Sequence, residues 1–162
     1  MNVDASVGTS FTIGVGTYPQ FGYFSFEITE VTDTTITLYW SYVRIYNYSS
    51  YSYSNYRVTD LKIDGTTIMT DGDGTRNISS NSNAYYYPTP RYITINNSKS
   101  DNTREFYCEY KYITDTTKSN TVQVTFKYPG TSCLNYNGTN VTDIYFNGTK
   151  ANHVYINGTQ IY

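Results

Sequence analysis

The sequence predicts an all-β fold: an antiparallel sandwich followed by a short meander of β-hairpins. Three observations predict it. Apolar residues alternate with polar ones over a series of short segments, which sets one face toward a core and one toward water. Turn-forming residues separate those segments, and no stretch sustains the roughly 3.6-residue apolar period of a helix. Near the C-terminus Asn-Gly-Thr recurs at Asn137, Asn147 and Asn157, a period of ten.

The elements follow in order. Residues 1–20 are rich in Gly, Ser and Thr, with Pro19 near the end, and read as an N-terminal arm with at most one edge strand around Phe11, Ile13 and Val15. Residues 21–129 carry the sandwich. Phe24, Phe26 and Ile28 alternate with Ser25 and Glu27; Ile36, Leu38 and Trp40 alternate with Thr37 and Tyr39. Ile93 and Ile95 flank Thr94. Phe106, Cys108, Tyr110 and Tyr112 alternate with Tyr107, Glu109 and Lys111, and Val122, Val124, Phe126 and Tyr128 with Gln123, Thr125 and Lys127. The inward phase places Trp40 in the core with Ile36, Leu38, Phe106, Cys108, Val124 and Phe126. Residues 130–162 hold the hairpin repeat.

Composition bounds the function. A chain of 162 residues that is 38% hydrophobic can build one core with appendages. Charged residues make up 15% and the net charge is −2, so no strong field points at nucleic acid or at an anionic membrane. No apolar run approaches the ~20 residues of a membrane span. The opening MNVDASVGTS lacks a basic and an apolar stretch, so it reads as no signal peptide and as synthesis in a reducing cytoplasm. Cys108 and Cys133 make no disulfide framework. Cys108 is expected as a buried free thiol and Cys133 outside the sandwich, unbonded to it. The N-x-[ST] triplets at Asn47, Asn77, Asn96, Asn137, Asn140, Asn147 and Asn157 arise by chance in a chain this rich in Asn and Thr, and are not expected to carry glycans.

ITEVTDTTITLYW, over residues 28–40, resembles the first two strands of fibronectin type III domains, which end in a core tryptophan. REFYCEYKYITDTTKSNTVQVTF, over residues 104–126, resembles the last hairpin of an immunoglobulin-like domain, with Phe106 and Cys108 in the places of the corner tyrosine and the second cysteine. The resemblance implies an immunoglobulin-like sandwich. No cysteine near Leu38 could pair with Cys108, and Phe106 has no hydroxyl for the corner hydrogen bond.

In the repeat, three residues precede each Asn-Gly and three follow, as in Ile144-Tyr145-Phe146 and Thr149-Lys150-Ala151 around Asn147-Gly148. Asn-Gly suits a two-residue type I′ loop because both positions take positive φ. Thr142-Asp143 and Asn152-His153 are the expected return turns. Strands this short are marginal alone, so Tyr145, Phe146, Tyr155 and Ile156 are expected to form an assembly contact. These endings resemble those of phage virion proteins, especially tail, baseplate and decoration components. The resemblance implies a non-enzymatic structural or attachment protein of a virion. Its partners would be other virion proteins or a second copy, with a host-surface glycan as a further candidate. A modular bacterial surface or carbohydrate-binding domain is the alternative.

Tyrosine is the most unusual residue here, at 21 copies. Residues 42–56 interleave Tyr42, Tyr46, Tyr48, Tyr51, Tyr53 and Tyr56 with serines, and Tyr85, Tyr86 and Tyr87 precede Pro88. Tyr-Ser mixtures make binding loops, since tyrosine offers contact area at little rotamer cost and serine adapts its hydrogen bonds. Tyr46, Tyr48, Tyr51, Tyr53 and Tyr56, in a stretch expected to contain the loop between the second and third strands, and Tyr86 of the second group are therefore the candidate glycan or protein contacts. Strand preference alone would also enrich tyrosine.

Other chemistry finds no constellation. His153 is the single histidine and has no nucleophile beside it. Asp71-Gly72-Asp73-Gly74 offers too few oxygens for calcium. No metal, cofactor or catalytic residue is expected.

Overall fold

The computed structural model describes residues 1–70, 74–112 and 116–128, and the residue pairs 135–136, 139–140, 145–146, 149–150, 155–156 and 159–160. The chain divides into two units, Met1–Tyr128 and Pro129–Tyr162.

The first unit holds eleven strands: β1 (Asn2–Asp4), β2 (Ser10–Thr17), β3 (Gln20–Val31), β4 (Thr35–Asn47), β5 (Tyr53–Ile63), β6 (Thr66–Thr70), β7 (Arg76–Ile78), β8 (Ser82–Tyr86), β9 (Tyr92–Asn96), β10 (Thr103–Tyr112) and β11 (Thr116–Lys127). They form two sheets packed as a sandwich. The first runs β1-β11-β10-β5-β6, with β7 also on β5; the second runs β2-β3-β4-β8, with β9 also on β4. Every pairing is antiparallel except β1 with β11.

The alternation read from the sequence fills the space between the sheets. Phe24, Phe26, Ile28, Ile36, Leu38 and Trp40 meet Phe106, Cys108, Val124 and Phe126, and all are buried. Phe11 stacks on Phe26 at 5.3 Å and meets Phe106 and Phe126 edge-on at 6.0 and 5.9 Å, so it joins the two sheets. Trp40 stacks on Phe24 and Phe26, each at 5.9 Å. Tyr110 of β10 reaches across to β3, where Gly22 leaves room: a Cβ there would meet the Tyr110 ring and the Arg44 carbonyl, each at 3.3 Å.

The expected N-terminal arm is instead part of the sandwich. Val3 and Ala5 are buried beside β11, and Phe11, Ile13 and Val15 are buried on β2. The outward phase of β2 is Ser10, Thr12, Gly14 and Gly16, small or polar residues that make a strand look like a linker.

β4 is not a simple period-two strand. Ser25 pairs with Tyr42 but Phe26 pairs with Trp40, so Ser41 is one extra residue, a bulge. The inward residues are Ile36, Leu38 and Trp40 before it, and Val43, Ile45 and Asn47 after it. The bulge is pinned on both sides. Ser41 Oγ donates to the Ser25 carbonyl at 2.9 Å, and the Ser41 carbonyl accepts from Arg91 Nη2 at 2.7 Å. β9 pairs with β4 before the bulge and β8 after it.

Cys108 is a free, buried thiol, and burial pushes its pKa up, so it stays neutral. Cys133 lies outside the described residues. In the second unit, β12 (Asn135–Tyr136) pairs with β13 (Thr139–Asn140), β14 (Tyr145–Phe146) with β15 (Thr149–Lys150), and β16 (Tyr155–Ile156) with β17 (Thr159–Gln160). The described strands are two residues long rather than three, and each pair is its own two-stranded sheet. The expected return turns lie outside the described residues.

Phe11→Ala should cost about 3–5 kcal/mol in denaturant unfolding, as a large core cavity demands. A loss below ~1 kcal/mol would put the first seventeen residues outside the cooperative unit. Cys108 should also resist thiol reagents in the native protein and react once unfolded.

Candidate functional site

The phase change at Ser41 sends Tyr42, Arg44 and Tyr46 outward, onto the same face as Tyr39. The register then lines side chains up in rows across the second sheet. One row is Gly16, Phe21, Tyr46 and Asn83; the next is Gly14, Tyr23, Arg44 and Tyr85. Thr12, Ser25 and Tyr42 follow, and beyond the bulge come Glu27, Tyr39 and Tyr92.

The rings in these rows touch. Phe21 stacks on Tyr46 at 4.9 Å, Tyr46 on Tyr48 at 5.5 Å and Tyr48 on Tyr18 at 6.4 Å. Tyr23 meets Phe21 and Tyr46 edge-on. The Arg44 guanidinium lies between two rings, 4.3 Å from the centroid of Tyr46 and 5.1 Å from that of Tyr85, and Tyr85 meets Tyr42 at 5.3 Å. Past the bulge, Arg91 lies over Tyr39 at 5.1 Å and Tyr87 at 5.4 Å, and Tyr39 meets Tyr92 at 5.1 Å. Burial of its ring raises the Tyr46 pKa although Arg44 opposes this, so the hydroxyl stays protonated at neutral pH.

The outer face of the first sheet is the internal control. Its rows hold Glu105 with Gln123, Tyr107 with Thr121 and Lys62, and Glu109 with Ser119 and Asp60. These groups satisfy one another: Glu109 accepts from Thr59 Oγ1 at 2.7 Å and from the Tyr107 hydroxyl, and Lys62 pairs with Asp60 at 3.0 Å. If tyrosine were only a strand former, both outer faces would share it. One face is paved with aromatics and the other is charged. Cross-strand ring pairs do stabilise a sheet, yet that need applies to both sheets and is met on one.

The sequence-predicted site residues divide. Tyr46 and Tyr48 lie on the aromatic face. Tyr51 is exposed in the loop between β4 and β5. Tyr53 is half-buried against Tyr112 at 5.6 Å, at one pole. Tyr56 and Tyr86 are wholly buried, and the Tyr86 hydroxyl donates to the Tyr56 carbonyl at 2.8 Å. They are core residues with no surface to offer a ligand. The tyrosine run is therefore mostly strand rather than loop, because β4 continues to Asn47 and β5 begins at Tyr53. Phe21, Tyr23, Tyr39, Tyr92, Arg44 and Arg91 were missed. The outward phase of Tyr23 and Tyr39 in the alternating segments was the signal for two of them. Tyr145, Phe146, Tyr155 and Ile156 lie on β14 and β16.

A buried amide holds the top of the face. Asn47 Oδ1 accepts from the Ser49 backbone N–H at 3.2 Å and its hydroxyl at 2.7 Å. Its Nδ2 lies 2.9, 3.2 and 3.1 Å from the carbonyls of Tyr51, Ile78 and Ser79. The Tyr48 N–H then donates to the Pro19 carbonyl at 2.8 Å, which holds Tyr48 beside Tyr18. Asn47 thus serves the fold, and its triplet is closed to a glycan.

Among the described residues, no group of three or more His, Cys, Asp or Glu could hold a metal ion. His153 and the Asp71–Asp73 stretch lie outside them. No family model, curated protein or solved structure matches the chain. What the structure brings together is a set of rings, hydroxyls and two guanidiniums on one face of a sheet.

Asn47→Ala should cost about 2–4 kcal/mol, since it strands several backbone groups, and should raise hydrogen exchange across residues 48–52. Deleting Ser41 removes the extra residue and sets Trp40, Val43 and Ile45 in one unbroken period-two phase with Tyr42, Arg44 and Tyr46 still outward, so the variant should fold, at a cost of about 1–3 kcal/mol for the lost bulge hydrogen bonds; an unfolded deletion variant by circular dichroism would refute the phase argument.

Proposed function

We propose that this chain is a non-enzymatic attachment protein of a phage particle that binds through the aromatic outer face of its second sheet. The observation that carries the binding reading is the asymmetry between the two outer faces. Aromatic side chains and arginines are the residues that binding surfaces concentrate, and here they converge on one face of a rigid support. The Ig-like assignment is supported by strand order. The pairings β11-β10-β5 and β3-β4-β8/β9 correspond to G-F-C and A-B-E of immunoglobulin-like domains, with β1 and β2 as additions. Trp40 on the inner face of β4 and the closing hairpin β10–β11 further support that reading. The virion assignment rests on the likeness of the Asn-Gly-Thr repeats to virion endings, and the ten-residue period supports a hairpin meander that docks onto virion proteins or a second copy.

Two experiments test this. On glycan and cell-surface panels, a Tyr48→Ser/Tyr92→Ser variant should lose about tenfold or more in affinity, while Tyr107→Ser on the opposite face should change nothing. Equal loss from both variants would sink the face assignment. For assembly, removing residues 134–162 should leave a monomer by light scattering, while the full chain self-associates or joins a particle. Two monomers that join nothing would refute the docking role of the hairpins.

A further inference from the structure

The centre of the aromatic face is a cation rather than an apolar patch. Arg44 is flanked by Tyr23 and Tyr85 in its row and by Tyr46 along β4, and its Nε donates to Asn83 Oδ1 at 3.3 Å. Contacts with two rings and one hydrogen bond hold the guanidinium in place. Among the described residues no carboxylate pairs with it, and its two Nη groups have no hydrogen-bond partner. The carboxylates on this sheet, Glu27 and Glu30, lie beyond the bulge. Glu27 sits in the Tyr39 row, about 13 Å along the strand from Arg44. Glu30 accepts from the Thr37 hydroxyl. Arg91, the other guanidinium, is occupied: its Nη2 donates to the Tyr39 hydroxyl and the Ser41 carbonyl, each at 2.7 Å.

A guanidinium held in place with its Nη edge unused matches a carboxylate or phosphate bidentately, and part of its rotamer entropy is already spent. We propose that Arg44 is the anion-binding centre of this face and that the ligand is an acidic glycan, a sugar chain bearing carboxylate or phosphate groups. This rests on the aromatic-face reading above.

The layout favours a sugar chain over an acidic protein. A protein interface buries its most prominent aromatic anchors at the centre, inside a polar rim. Here the order is reversed: the centre holds Arg44, Asn83 and the less exposed Tyr23 (39%) and Tyr85 (37%), while the more exposed tyrosines stand outside it, Tyr18 at 75% and Tyr92 at 64%. Tyr46 is crowded by Phe21, Tyr48 and Arg44, so it offers its hydroxyl edge more than its ring face. A chain of sugars can stack on the outer rings and hydrogen-bond to the hydroxyls between them, with its acidic group on Arg44.

The test uses the full-length protein and calorimetric titration with four probes: oligogalacturonate, a phosphorylated oligosaccharide, an uncharged oligosaccharide of the same length and a polyglutamate peptide. At least one acidic oligosaccharide should bind about tenfold or more tightly than the uncharged one, and more weakly as salt rises. R44Q should lose about tenfold or more of that affinity, and R44K should fall between, since it keeps the charge without the fork. Both should keep the wild-type Tm; if R44Q fails to fold, R44K and the wild-type ranking of probes decide. Equal binding of charged and uncharged sugars, or an unchanged R44Q, overturns the proposal and leaves the aromatic-face reading standing. Polyglutamate binding as tightly as the acidic sugars overturns the assignment to glycans. Binding of none of the four probes overturns this proposal, and an unaltered Tyr48→Ser/Tyr92→Ser variant on the panels separately removes the reading beneath it.

Discussion

One extra residue in one strand decides what each outer face of this protein is. The bulge at Ser41 shifts the phase of β4 by one, and so keeps both halves of a thirteen-residue strand apolar toward the core. Without the shift, either Val43 and Ile45 or Ile36 and Leu38 would point at water. The same shift gathers Tyr39, Tyr42, Arg44 and Tyr46 on one side. Its hydrogen bonds to Ser25 and Arg91 make it a fixed part of the sheet, and bulges of this kind commonly re-aim side chains near functional sites. On the other edge of β4 the partner changes at the same point, from β9 to β8, while β3 follows both halves.

Tyrosine does different work in three places. In the core, Tyr56, Tyr86 and Tyr110 supply bulk, and burial drives the Tyr56 and Tyr110 pKa values upward. Only Tyr86 among them has its hydroxyl satisfied by a backbone carbonyl; those of Tyr56 and Tyr110, like Trp40 Nε1, have no partner among the described residues. Each such group costs stability, so this core is tolerant of polar atoms for the sake of large rings. At the pole, Tyr53 and Tyr112 close the end of the sandwich. On the outer face the rings pack against each other and against Arg44 and Arg91, and the Tyr39 hydroxyl accepts from Arg91.

The sandwich was legible because its inward phase is written plainly in Phe24–Ile28, Ile36–Trp40, Phe106–Cys108 and Val124–Phe126. What hid the rest is specific. The outward residues of β2 are small, so a core strand read as an arm. The bulge at Ser41 interrupts the alternation at the start of the tyrosine run, so the run read as a loop. Tyr56 and Tyr86 cannot be told from surface tyrosines by type, and Asn55, at φ 62°, breaks the phase just before Tyr56. The face itself joins residues from β3, β4, β8 and β9, and no linear window holds them together. Only pairing register does that.

The two sheets also differ in a way that bears on handling. Every lysine of the first unit lies either on the strands of the β1–β11 sheet, at Lys62, Lys111, Lys118 and Lys127, or in the turn at Lys99. The aromatic face carries arginine and no lysine. The amino group of Met1 sits beside Gln123, on the lysine-bearing sheet. Amine-directed coupling of a dye or linker to the first unit therefore falls on groups off the aromatic face and leaves its tyrosines and arginines unmodified.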